Sequence, residues 1–277
     1  METLTLQLKK IYEDRWPQFC RRIKETNTKI TYPFLLNLVR WNNEKSSEDW
    51  YTLSDIKIMI FGQETKKWEA IDEDDFASKD TFFTGKEPES VGAIMSIYED
   101  QYSTKYRHSE EDTWRFEQGR GCNFLNQGCN NFISLLEEGI YNKTGQKIRT
   151  ACIWNDVSKL ASPEGHQAGK SVHEIERECL GDVVKKEIEI LKPDIVLCLC
   201  GSTPTYETYM MEALGCEKPL PFGHFDYKDA AKLVIPNVKL GYRTWHPRTS
   251  ISKPNCVYYR AIEAFVDDII KQIPLVY

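Results

Sequence analysis

The chain has 277 residues, and its 36 Lys and Arg against 42 Asp and Glu give a net charge of −6, which excludes a globally basic nucleic-acid coat. Hydrophobic residues make up 41% of the chain, which excludes a disordered or collagen-like protein. The length suits one large α/β domain over residues 1–277. Because no apolar run approaches the roughly 20 residues of a membrane helix and the N-terminus lacks a signal-peptide core, we predict a cytoplasmic protein with no membrane partner.

The nine cysteines are an odd number in a chain with no export signal, so we expect free thiols rather than a disulfide framework. Their spacings match neither a zinc site nor an iron–sulfur site. We therefore expect no metal and no cofactor.

The first 50 residues form a predicted helical extension, in which apolar residues at helical spacing indicate two helices within residues 1–43. Residues 69–120 carry acidic clusters and aromatic residues with little periodicity. We interpret this stretch as an acidic insertion packed beside the functional site.

Four short apolar runs predict the strands of the core: residues 56–62, 149–155, 193–201 and 238–246. Helical patterns separate or follow them, at residues 129–140, 173–191, 205–215 and 254–272. This alternation predicts a three-layer α/β/α fold with a mostly parallel four-stranded central sheet.

Polar residues stand where the predicted strands end, which is where ligands bind in open parallel sheets. Glu64 offers a base, Asn155 offers a paired donor and acceptor, and His246 can donate a hydrogen bond to developing negative charge. Each alone is equally compatible with a helix cap or a turn. Together they indicate a candidate site.

These residues resemble motifs of the uracil-DNA glycosylase superfamily. Gly62-Gln63-Glu64 is similar to the first motif of that family, and His246-Pro247-Arg248-Thr249-Ser250 is similar to its late His-Pro-Ser motif. The segment 153–157, with Asn155 at its centre, resembles the family's strand-end Asn segment. Residues 195–201 resemble the family's next strand, which ends in Gly-Ser. The motifs follow the family's order from about residue 55 to 270.

The resemblance implies hydrolysis of the N-glycosidic bond of a flipped-out pyrimidine, uracil or a related base, in DNA, as in base-excision DNA repair. Glu64 would orient the attacking water and stabilise an oxocarbenium-like sugar, and His246 would hydrogen-bond the departing base. Asn155 would pair with the polar edge of the base.

The resemblance also implies a wider set of substrate-binding residues. Gln63 would present its backbone to the base or sugar, and residues Thr249 to Ser252 would approach phosphate or the DNA groove. Phe124 is the first candidate for the aromatic that stacks on the base, with Trp68 and Trp114 as alternatives. Lys66 stands where the strictest uracil enzymes carry the Tyr that blocks thymine's methyl group. The remaining candidates are Ser202, Arg248 and Ser250.

Two other functions stay open. The chain could be a non-catalytic module of this fold that binds a nucleotide, single-stranded nucleic acid or a protein. An unrelated hydrolase using Ser202 or Cys200 is disfavoured because no G-x-S-x-G motif is present. Basic residues near the strand ends predict a small positive mouth that suits short or single-stranded DNA, namely Lys66, Lys67, Arg243, Arg248 and Lys253.

Overall fold

The fold is taken from a computed structural model, which describes residues 2–26, 30–42, 45–64, 90–103, 106–108, 114–116, 123–162, 168–247 and 256–272. The strands in these ranges are β1 (Arg40–Asn42), β2 (Lys45–Ser47), β3 (Ile56–Glu64), β4 (Tyr106–His108), β5 (Trp114–Phe116), β6 (Thr150–Ser158), β7 (Ile195–Cys198), β8 (Leu220–Pro221), β9 (Ala230–Leu233) and β10 (Leu240–Thr244). The helices are α1 (Leu4–Glu25), α2 (Asp49–Thr52), α3 (Val91–Ser103), α4 (Asn123–Thr144), α5 (Lys170–Leu180), α6 (Val183–Leu191), α7 (Pro204–Leu214) and α8 (Val257–Gln272).

The central sheet has six strands in the order β6-β3-β7-β10-β9-β8. The four predicted strands correspond to β3, β6, β7 and β10, which pair in parallel. The prediction of a four-stranded sheet is wrong, because β9 and β8 extend it by antiparallel pairing beside β10. These two strands have only four and two residues, so neither shows the long apolar run by which a buried strand is identified.

Helices lie on both faces of this sheet. In β10, the Tyr242 hydroxyl donates to Asp268 of α8 at 2.7 Å. The next residue, Arg243, lies 3.8 Å from the Glu207 carboxylate of α7. Because successive side chains of a strand point to opposite faces, α7 and α8 cover opposite sides of the sheet, as the predicted α/β class requires.

The second predicted N-terminal helix is wrong, since residues 30–39 contain no helix. The backbone N–H of Thr31 donates to the Ala161 carbonyl at 3.0 Å, and that of Phe34 donates to the Lys159 carbonyl at 2.8 Å. Pro33 also disfavours helical geometry in the residue before it. The apolar side chains of this segment are buried because it packs in an extended form beside the end of β6.

The proposed insertion contributes to the core through α3. Val91, Ile94 and Tyr98 are buried, and the Tyr98 hydroxyl donates to the Trp154 carbonyl at 2.9 Å. That carbonyl belongs to β6, which is an edge strand of the sheet. A side chain therefore satisfies a backbone acceptor on an edge beside which the described ranges place no further strand.

A fully buried ion pair joins the end of β6 to two helices. Lys159 Nζ lies 2.8 Å from Glu187 Oε2 of α6. The Tyr12 hydroxyl of α1 donates to the other oxygen of Glu187 at 2.6 Å. Burial and the negative charge of Glu187 raise the pKa of Tyr12. The N-terminal helix is thus hydrogen-bonded into the core rather than appended to it.

The cysteines in the described ranges are all buried and free, as expected for thiols: Cys20, Cys129, Cys152, Cys179, Cys198, Cys200, Cys216 and Cys256. Burial raises the pKa of Cys20 and of Cys179 to about 11, so both are neutral at physiological pH. None of the helices in these ranges has the length and apolarity that a membrane span needs.

We predict that Glu187→Gln lowers the free energy of unfolding by about 3–5 kcal/mol, because it leaves the Lys159 charge buried without its counter-charge. Glu189→Gln on the exposed side of the same helix is the matched control and should stay within about 0.5 kcal/mol of wild type. Urea denaturation followed by circular dichroism measures both. Equal stability of the two variants would contradict the structural role of the pair.

Candidate functional site

Glu64 is the last residue of β3, at the carboxyl end of the parallel part of the sheet. Its side chain is 8% exposed, and one carboxylate oxygen accepts a hydrogen bond from the Ala168 N–H at 3.1 Å. Tyr206, in the first turn of α7, lies close to it: burial and the charge of Glu64 raise the pKa of Tyr206. The carboxylate is therefore fixed in position by neighbours from two other segments.

Asp156 of β6 is the second carboxyl group at this edge of the sheet. It is the register partner of Gly62 in β3, and its Oδ1 lies 2.4 Å from the position that a Cβ on Gly62 would occupy. Its side chain is 2% exposed. In the part of the chain that the structure describes, its carboxyl group makes no hydrogen bond or ion pair.

The surroundings of Asp156 favour the protonated form of its carboxyl group. Burial raises its pKa to about 8, and the charges of Glu64 and Glu176 act in the same direction, against the influence of Lys159. Two neighbouring carboxyl groups thus differ in environment, and the pKa of one of them, Asp156, is raised. Such a pair can act as acid and base in one site.

Asn155 lies on the other face of β6 and belongs to the buried ion-pair network. Its amide nitrogen donates to Glu187 at 2.9 Å, and its oxygen accepts from Lys159 Nζ at 2.6 Å. The same oxygen accepts from the Asp156 N–H at 2.8 Å. The side chain is fully buried, so in this structure Asn155 presents no edge to a base.

Gln63 and Gly62 are both packed against other residues of the protein. The Gln63 amide donates to the Cys200 carbonyl at 2.9 Å, which joins the end of β3 to the segment after β7. A Cβ on Gly62 would lie 2.5 Å from the Trp154 ring as well as against Asp156. Gly62 is therefore required by the packing of these two side chains on its backbone.

His246 and Ser202 lie after neighbouring strands at the same edge of the sheet. Both are partly exposed. Because β7 lies between β3 and β10, about 10 Å separates the strand that ends in Glu64 from the strand that precedes His246. A distance of about 10 Å is close to the length of a nucleoside. Groups at the two strand ends could therefore contact different parts of one nucleoside.

Arg243 is not part of a positive mouth, because it is fully buried. Its guanidinium donates to the backbone carbonyls of Tyr227 at 2.6 Å and Lys228 at 3.0 Å. The side chain of Phe124 lies outside the described residues, although its backbone belongs to α4. Several further predicted contacts also fall outside the described residues: Lys66, Arg248, Thr249 and Ser250.

Among the residues that the structure describes, no group of three His, Cys, Asp or Glu side chains is arranged to hold a metal ion. Comparison of the chain with models of known protein families and with curated proteins gives no match.

Asp156 and Tyr206 are not among the residues predicted from the sequence. The alternation of side chains along β6 could have identified Asp156. Asn155 and Asp156 point to opposite faces of the sheet, so only one of them can lie against Gly62. β6 is buried along its whole length, so its hydrophobic pattern does not indicate which face that is. The position of the Tyr206 side chain depends on where α7 begins. Its contact with Glu64 joins residues that are far apart in the sequence, so no local pattern indicates it.

We predict that Asp156→Asn changes how stability depends on pH. The folded-state pKa of Asp156, about 8, lies above its ordinary value of 3.8, so its contribution to stability is complete below about pH 4 and is lost as pH rises towards 8. Wild type should lose up to about 1.4 kcal/mol per pH unit relative to Asp156→Asn across this window. Urea denaturation at several pH values measures the difference.

Asp267→Asn, at an exposed position of α8, is the control and should keep the wild-type pH dependence. A parallel pH dependence of Asp156→Asn and wild type would contradict a neutral buried Asp156.

We also predict that Gly62→Ala destabilises the fold by about 1–3 kcal/mol, because the added methyl group overlaps Asp156 and Trp154. Gly92→Ala in α3 is the control, since the nearest atom to its Cβ lies 3.9 Å away. Thermal unfolding measures both variants. A Gly62→Ala protein as stable as wild type would show that the two side chains can move aside freely.

Proposed function

We propose that the chain hydrolyses the N-glycosidic bond between a pyrimidine, uracil or a related base, and the sugar of DNA. The observation that carries the proposal is the fixed position of Glu64 at the end of β3, with a hydrogen bond from Ala168 and a second carboxyl group beside it. The motif resemblance supports the same chemistry for Gly62-Gln63-Glu64. The cleavage develops positive charge on the sugar, which a buried carboxylate stabilises.

In this proposal Glu64 orients the attacking water and faces the sugar. His246, from the far side of β7, donates a hydrogen bond to the base as it departs. The separation of the two strand ends by about 10 Å supports this division, because sugar and base then lie between the two groups. Ser202 lies after the intervening strand and is a further proposed contact.

Asn155 is not included among the proposed base-binding residues. Its amide is already bonded to Glu187 and Lys159, and releasing it would leave both charges incompletely paired in the core. An Asn155→Ala variant therefore tests stability more than catalysis. The proposed base and DNA contacts are Phe124, Lys66, Gln63, Arg248, Thr249 and Ser250.

The proposed substrate is short or single-stranded DNA. A net charge of −6 weakens non-specific attraction to a long duplex, whose phosphates dominate such binding. A single-stranded site also spares the unpairing that a base in a duplex requires before it enters a pocket.

We expect Glu64→Gln to slow base release by roughly 10²–10⁴-fold, because the amide can neither take a proton from water nor stabilise positive charge. The assay measures release of uracil from a labelled single-stranded oligonucleotide at low salt. Glu263→Gln, at an exposed position of α8, is the matched control and should release uracil at the wild-type rate.

Equal rates for Glu64→Gln and wild type would contradict the role of Glu64. If wild type shifts the mobility of the oligonucleotide but releases no base, the non-catalytic binding module is the better description.

A further inference from the structure

We infer that a cavity between α5 and α7 binds a small organic ammonium ion, whose N–H donates a hydrogen bond to Nε2 of His173. The inference does not depend on the proposed function, because it concerns another group of side chains and its test measures binding rather than base release. It assigns a ligand site to a part of the fold where the sequence motifs place no functional residue.

The cavity lies where the end of β6 meets three helices. It contains about 450 Å³ of empty space, part of which is open to solvent, so its enclosed part suits only a short ligand. Apolar side chains from β6, α5, α6 and α7 form much of its wall, and a wall of this kind favours a ligand with a hydrocarbon part. These side chains are Val157, Leu180, Val184 and Ala213.

His173 of α5 supplies the polar group that this cavity leaves without a partner. It lines the cavity, its side chain is 5% exposed, and its Nε2 makes no hydrogen bond to any residue that the structure describes. A buried polar atom without a partner costs free energy and is uncommon in folded proteins. A ligand in the cavity that brings a hydrogen-bonding group would remove this cost.

The imidazole ring of His173 is held between two neighbours. It stacks on the ring of Tyr209 in α7, with ring centroids 3.8 Å apart and an angle of 27° between the planes. Its Nδ1 lies 3.7 Å from Oε2 of Glu176. A carboxylate on that side favours the tautomer that carries its proton on Nδ1, so Nε2 keeps a lone pair and accepts a hydrogen bond. The ligand must therefore supply a donor.

The charges in the wall favour a positive ligand. Three charged residues line the cavity: Glu176, Arg177 and Glu212. Arg177 lies 2.9 Å from the Glu212 carboxylate, so these two charges balance each other. The Glu176 carboxylate is held in place by hydrogen bonds from the Ser158 hydroxyl and the Lys159 N–H. The remaining charge of the wall is negative, which attracts an ammonium ion and repels an anion.

The ion pair between Arg177 and Glu212 also provides a route into the cavity. It joins α5 to α7, and its side chains are 55% and 49% exposed. The same two residues line an adjacent open cleft of about 820 Å³. Because an exposed ion pair contributes little free energy, it can open at low cost and admit a ligand from the cleft.

The test titrates ¹⁵N-labelled wild type with propylammonium chloride and follows the imidazole nitrogen resonances by nuclear magnetic resonance. We expect a saturable shift of His173 Nε2, with a millimolar Kd because the ligand has few atoms. Two molecules of the same length are the comparisons. 1-Propanol, which has a donor but no charge, should bind roughly tenfold more weakly, since its hydrogen bond lacks the assistance of a charge. Propionate should give no saturable shift.

His173→Phe keeps an aromatic ring against Tyr209 but removes the acceptor nitrogen. It should bind propylammonium roughly tenfold more weakly or worse, as followed by the backbone amide resonance of Tyr209. Its melting temperature should equal or exceed that of wild type, because the variant also removes a buried polar atom without a partner. Glu174→Gln, at an exposed position of the same helix, is the control and should keep the wild-type affinity.

Each contrary outcome overturns a stated part of the inference. No saturable shift with propylammonium would mean that the cavity holds only water. Equal affinity for propylammonium and 1-propanol, or tighter binding of propionate, would overturn the ammonium ligand. Unchanged affinity or a large loss of stability in His173→Phe would overturn the role of His173 as a ligand-binding group. Nitrogen shifts of wild type that place the proton on Nε2 would overturn its role as an acceptor, whether or not the variant folds.

Discussion

The buried ion pair between Lys159 and Glu187 is the interaction on which the arrangement around β6 depends. An ammonium group in the core requires a counter-charge and further hydrogen bonds, and these come from α6, from α1 through Tyr12, and from Asn155. Lys159 Nζ also lies 5.5 Å from the centre of the Phe34 ring. The contacts around this one charge thus join the N-terminal helix, the extended segment and the strand.

The orientation of Asn155 has a direct effect on the candidate site. Once its amide is held by the ion pair, the alternation of the strand turns Asp156 towards Gly62. The same strand therefore carries a satisfied polar network on one face and, on the other, a carboxyl group whose pKa is raised. The first stabilises the fold, and the second costs stability as pH rises towards 8.

The parallel part of the sheet could be predicted from the sequence because each of its strands is a short apolar run between turn-forming residues. The extended segment 30–39 could not, since its buried side chains occur at spacings that a helix also produces, and only its hydrogen bonds to Ala161 and Lys159 distinguish the two. Glu64 was found because it stands at a strand end within a motif. The contact of Tyr12 with Glu187 joins residues 175 positions apart, and no local pattern contains it.

The buried cysteines can be used to measure local opening of the fold. Thiols that are neutral and inaccessible react with an alkylating reagent only when the structure around them opens, so the rate at each position follows the local opening equilibrium. Cys20 lies on α1 and Cys198 lies in the centre of the sheet. The ratio of their labelling rates distinguishes detachment of the N-terminal helix from unfolding of the whole domain.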